Sequence, residues 1–128
     1  MITSNYQQQY LRTKVETASP GDLTLLLYEE LYRKLNMAKM LLDKNQHADM
    51  LTPIHGARSI LYELLSTLNF EYQISYELRD LYQFYLSQLS EFIIKKELQL
   101  LDNVIEFARE LVDTWKQAVL LVKSGKGN

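Results

Sequence analysis

The chain predicts an all-α fold, an antiparallel up-and-down four-helix bundle preceded by an extended N-terminal arm. Three observations predict it. Helix breakers are scarce, with four Gly and two Pro in 128 residues, and both prolines stand where helices can start. Apolar residues recur at three- and four-residue spacing through four successive segments. The links between those segments are short, which favours antiparallel neighbours.

Residues 1–18 hold no sustained period and read as a flexible arm, 19–123 as the bundle and 124–128 as a disordered tail. Ser19 is placed to cap the first helix, with Pro20 at its first position and Asp22 in its first turn. Its stripe is Leu23, Leu27, Leu31, Leu35, Ala38 and Leu42, ending near Asp43. "DKNQHADM" then reads as a polar turn. Thr52 and Pro53 repeat the cap-then-proline signal for a second helix, with Ile54, Ala57, Leu61, Leu64 and Leu68 on one face and Asn69 as its stop. Ser75 is the expected cap of the third helix, whose stripe is Leu78, Tyr82, Tyr85, Leu89 and Phe92, flanked by Leu81 and Ile93. No breaker separates it from the fourth. A tight turn is expected in Lys95–Gln99, because a helix running from Ser75 to Val122 would have no partner of its own length. The fourth helix has the cleanest seam: Leu101, Val104, Ala108, Leu111, Trp115, Ala118 and Val122.

Composition narrows the function. Hydrophobic residues make up 47% and charged residues 23%, a globular balance. With no cysteine there is no disulfide framework and no thiolate metal site. The N-terminus has neither the basic nor the apolar region of a signal peptide, and no apolar run approaches the roughly 20 residues that span a bilayer. A reducing compartment without membrane insertion is expected. The net charge of −2, with both signs interspersed, gives no basic face to track phosphates, so nucleic acid is not an expected partner.

No catalytic constellation assembles, and no enzyme activity, cofactor or metal is expected. His47 and His55 lie in a turn and near a helix start. The Glu-x-x-His pair of di-iron bundles, the His-Glu-x-x-His zinc motif, the Gly-x-Ser-x-Gly elbow and a Gly-rich phosphate loop are all missing.

The first helix has apolar residues to spare. At about 100° per residue, Leu25, Leu26, Met37 and Met40 fall opposite its main stripe, among Glu29, Glu30, Arg33 and Asn36. Either this second stripe covers a partner or the chain's own arm, as surplus apolar area and adaptable Met side chains suggest, or it is scattered surface or a helix packed on two sides. Tyr occurs nine times. Its large apolar body and polar tip suit groove rims. Tyr28, Tyr82 and Tyr85 also fit as bundle residues with hydroxyls at the surface. Tyr6 and Tyr10 lie on the aperiodic arm, where no helix requires them.

Three ordered stretches resemble the FliS family of flagellin export chaperones. The first is Tyr10-x4-Val15-x-Thr17-Ala18-Ser19-Pro20-x2-Leu23, continuing as "LTLLLYEEL". The second is "LSTLNFEYQISYELRDLYQFYLSQL", with its Leu-Tyr-x-x-Tyr core, and the third is "LDNVIEFARELVDTWKQAV", with its Asp-x-Trp element. The likeness spans about residues 6 to 120. Two stretches depart from it: Glu29-Glu30-Leu31 stands where the family often has a small, Gly-containing stretch, and Ser90-Glu91-Phe92 where two small residues often follow the third helix. The resemblance implies a cytoplasmic bundle that binds the disordered C-terminal segment of flagellin, prevents premature assembly and assists delivery to the flagellar type III export gate. It implies that Tyr10 and Val15 lie near or over the empty client site, as a removable cover. With Tyr6, Leu25, Leu26, Met37, Met40, Tyr82 and Tyr85 they make up the candidate peptide-binding or arm-covered set. Components of the export apparatus are possible further partners. A self-associating helical adaptor without a flagellin client is the competing expectation, and the sequence leaves monomer and homodimer open.

Overall fold

A computed structural model of the chain describes residues 20–123, so the arm, its Tyr6, Tyr10, Val15 and Ser19, and the tail lie outside the described residues. Four helices follow in order: α1 (Pro20–Asp43), α2 (His47–Ser66), α3 (Gln73–Lys95) and α4 (Leu98–Lys123). They form the all-α bundle that the periodicity predicts. Each helix packs on its chain neighbour and α4 closes the ring on α1, so α1 lies diagonally across from α3, and α2 from α4. α1 is held most closely, by α2 and α4, whereas α3 packs more loosely on both of its neighbours.

The core follows the stripes. Leu31, Leu35 and Ala38 of α1 meet Ile54, Ala57, Leu61 and Leu64 of α2, Leu89 and Phe92 of α3, and Leu101, Val104 and Ala108 of α4. Burying one such Leu, Ile or Phe side chain stabilises by about 1.5–3 kcal/mol. Tyr28, Tyr82, Leu86 and Phe107 join them.

The links explain where the helices stop. α1 ends in a Schellman motif: Asn45 adopts φ 58°, its amide donates to the Leu42 carbonyl at 3.0 Å, and Gln46 donates to Leu41 at 2.8 Å. Lys96 ends α3 in the same left-handed region, at φ 56°, and its amide reaches the Phe92 carbonyl at 2.7 Å. The break expected in Lys95–Gln99 is therefore present without a glycine.

Two expected caps are corrected. Thr52 does not cap α2, which starts five residues earlier behind Gln46, leaving Pro53 inside the helix and buried. Met50 is fully buried, so packing recruits the preceding turn despite the donor that Pro53 lacks. Ser75 lies within α3, behind Tyr72, and its hydroxyl donates to the Asn69 carbonyl at 2.6 Å instead of accepting a helix amide. Asn69 Oδ1 accepts the Glu71 amide at 3.0 Å, which folds the α2–α3 link back on itself.

Candidate functional site

The bundle has two unequal ends. At the end holding the α1–α2 and α3–α4 turns, the core is closed around Leu35, Ala38, Met50, Phe92 and Leu101. Toward the other end, formed by the start of α1, the α2–α3 link and the last turns of α4, the seam residues Leu23, Leu27, Leu78, Leu111 and Trp115 are only half-buried, and Ala118 is exposed.

Aromatic residues mark the boundary. The hydroxyls of Tyr28 and Tyr82 meet at 2.6 Å across the α1–α3 diagonal. Trp115 packs edge-on to Tyr28, centroids 5.7 Å apart, and its Nε1 donates to the Gly21 carbonyl at 3.1 Å, fastening α4 to the start of α1. Tyr85 stacks on Phe107 at 4.0 Å, and Tyr82 meets the same ring edge-on at 6.4 Å. Burial pushes the Tyr28 and Tyr82 hydroxyls above the ordinary phenol value. It also raises Tyr85, helped by the Glu110 carboxylate.

Among the described helices, α3 carries more of the exposed large apolar residues than any other. Ile74, Leu81 and Phe84 are all exposed. At about 100° per residue, Ile74 and Leu81 share the flank of half-buried Tyr85, the flank that faces α4, and Phe84 continues it outward. On the facing side of α4, Ala118 is exposed and Leu121 half-exposed. Together these residues make an apolar face beside the less-filled end of the core.

The sequence-predicted set maps onto this only in part. Met37 and Met40 are exposed, while Leu25 and Leu26 are half-buried. The four do not form one stripe, because Glu30 and Arg33 stand between them. Arg33 Nε donates to Glu30 Oε2 at 3.0 Å, and its Nη1 reaches the Met37 sulfur at 3.3 Å. Tyr82 corrects the expectation outright. It is 1% exposed and its hydroxyl is spent on Tyr28, so it is core and lines no open surface. Tyr85 keeps one edge at the α3–α4 flank. Ile74 and Phe84 were not singled out from the sequence. The signal was the run Ile74, Leu78, Leu81, Tyr85, a second stripe beside the core stripe of the same helix.

The described residues offer no constellation for chemistry. No cluster of three or more His, Asp and Glu side chains is placed to hold a metal among them, and no described helix is long and apolar enough to cross a membrane.

Fold and surface together define an all-α helical bundle with an exposed apolar face on α3. The chain belongs to the family of the flagellar protein FliS, whose family model matches residues 2–121. It is similar to the flagellar secretion chaperone FliS of Bacillus subtilis (strain 168), with 28% identity over 119 residues, covering 93% of this chain and 90% of that protein.

Proposed function

We propose that this protein is a cytoplasmic flagellar export chaperone that binds the disordered C-terminal segment of flagellin, keeps it from assembling early and carries it to the type III export apparatus. The observation that carries this reading is the apolar face of Ile74, Leu81, Phe84 and Tyr85 beside the less-filled end of the bundle. Family membership and the name of the Bacillus relative support it.

Energetics favour such a face. Ordering a disordered client costs roughly 1–2 kcal/mol of backbone entropy per residue. Exposed ion pairs return at most about 1 kcal/mol each, so apolar burial at about 25 cal/mol per Å² must supply most of the remainder. An amphipathic client helix laid along the α3–α4 flank buries such area on both partners. The arm residues Tyr6, Tyr10 and Val15 are proposed as a removable cover for the empty client site. This lowers apparent affinity by the open fraction and helps release. The protein carries out no catalysis in this role.

Isothermal titration with a flagellin C-terminal peptide tests the reading. Saturable binding with helicity gained in the mixture by circular dichroism is expected. A tight homodimer in sedimentation that ignores the peptide at tens of micromolar would instead favour the self-associating adaptor.

A further inference from the structure

A second surface lies where α2 meets α3. An added Cβ at Gly56 would touch Lys34 of α1, so that side of α2 faces α1. At about 100° per residue, Arg58 and Tyr62 fall on the other side, toward α3. On α3 the Tyr85–Phe107 stack marks the side facing α4, and Tyr76 and Arg79 turn away from it, toward α2. Tyr62, Phe70 of the link and Tyr76 are 41–55% exposed. Phe70 and Tyr76 pack at 5.0 Å, and the Arg79 guanidinium lies over both rings, 5.9 and 5.4 Å from their centroids. Ordered aromatics beside arginines have the composition of a protein-binding hot spot.

The charged groups state what such a surface accepts. Arg79 is taken up by Asp80, whose Oδ1 accepts from its Nη2 at 3.1 Å. Arg58 is half-buried and has neither a hydrogen bond nor an ion pair among the described residues, and its Nε is shut away from solvent without an acceptor. The other acids of the two helices do not offset it. Asp49 and Glu63 lie on the α1 side of α2 with Gly56, and Glu77 lies beside Ile74 and Leu81 on the α4 side of α3. Glu91 is engaged by Lys95. A partly desolvated guanidinium with unmet donors is best matched by a carboxylate, which accepts its fork of N–H groups in a charge-assisted pair.

We propose that the α2–α3 surface is a second docking site, separate from the α3–α4 flank, and that it takes an acidic amphipathic segment of another protein. A carboxylate of that segment pairs with Arg58. Its apolar side chains seat on Tyr62, one helical turn along α2 from that pair, and on Phe70 and Tyr76 beyond it. The proposal stands on these residues and not on what the α3–α4 flank holds.

The test uses the full chain, a fluorescent Leu/Glu amphipathic peptide and its Leu/Lys counterpart, read by anisotropy at low and high salt. The Leu/Glu peptide is expected to bind, more weakly at high salt, and the Leu/Lys peptide not to bind. R58Q should weaken it by about tenfold. The control K44Q/K116Q, at exposed cations elsewhere, and L81D/F84D on the α3–α4 flank should each leave its affinity within about twofold. Y62A, at an exposed ring, should also weaken it, and decides the matter should R58Q lose its circular dichroism spectrum. Equal binding of the two peptides, equal losses from R58Q and K44Q/K116Q, or undiminished affinity in Y62A overturns the proposal. A parallel loss of flagellin-peptide binding in R58Q and Y62A assigns the surface to the client site, and a dimer abolished by R58Q assigns it to a second copy; either result overturns it. Absence of flagellin binding in every protein, with Leu/Glu binding intact, contradicts the chaperone reading alone.

Discussion

The Tyr28 and Tyr82 hydroxyls are hydrogen-bonded at 2.6 Å across the diagonal of the bundle, linking two helices whose backbones make no direct contact. Both rings are about 1% exposed. An unpaired buried hydroxyl costs about 1–3 kcal/mol, whereas removing both partners is nearly neutral. Tyr82→Phe and Tyr28→Phe are each expected to destabilise by about 1–3 kcal/mol and the double variant by less than either. Urea unfolding of the four proteins measures the cycle. Additive losses would mean that the two hydroxyls do not act as a pair.

The same burial fixes a pH dependence. Both phenols are raised above the ordinary 10.0 in the folded protein, mainly by burial. The unfolded chain therefore releases these protons first. Stability from the pair is complete below about pH 10 and falls as pH rises from there through the folded values. Y28F/Y82F should lose less stability than the parent between neutral and strongly alkaline pH. Unfolding followed by circular dichroism and phenolate absorbance checks it, and identical alkaline profiles would exclude the effect.

Lys96 holds a left-handed conformation, φ 56°, that costs a side-chain-bearing residue about 1–2 kcal/mol. Lys96→Gly is expected to stabilise the protein by roughly 0.5–1 kcal/mol, after the unfolded-state entropy of glycine is set against the relieved strain. A higher melting temperature is the expected reading. A lower one would show that the Lys96 side chain, near the Ile93 carbonyl at 3.4 Å, matters more than its backbone.

Gly56 sits inside α2 where an added Cβ would come 2.7 Å from Cδ of Lys34. That atom belongs to a long, partly exposed side chain able to move aside. Ala gains about 0.5–1 kcal/mol over Gly in a helix interior. Gly56→Ala is expected to be neutral or slightly stabilising by thermal unfolding. A loss above about 1 kcal/mol would show that the α1–α2 approach itself needs the glycine.

The stripes made the bundle legible from sequence because burial follows periodicity: Leu31, Leu35, Leu61, Leu89 and Val104 all went where their spacing placed them. The α3–α4 turn was legible from length alone. The start of α2 was not, since cap-then-proline is a local signal and burial of Met50 outweighs it. The surface was read less well than the core. Counting apolar residues on α1 found Met37 and Met40, but not the Glu30–Arg33 pair that interrupts their stripe. Nor did it find the α3 face, whose exposure depends on how loosely that helix packs. Tyr82 misled because one residue's position on a helix does not reveal that a tyrosine across the bundle will pair with its hydroxyl.

The most direct test of the central claim is the affinity of a flagellin C-terminal peptide for the parent and for L81D/F84D. Both substituted residues are exposed, so the fold should survive, as an unchanged circular dichroism spectrum would show. Placing two carboxylates where apolar contact is required should weaken binding by at least about tenfold. Undiminished affinity in a folded variant would contradict the claim that this face of α3 holds the client.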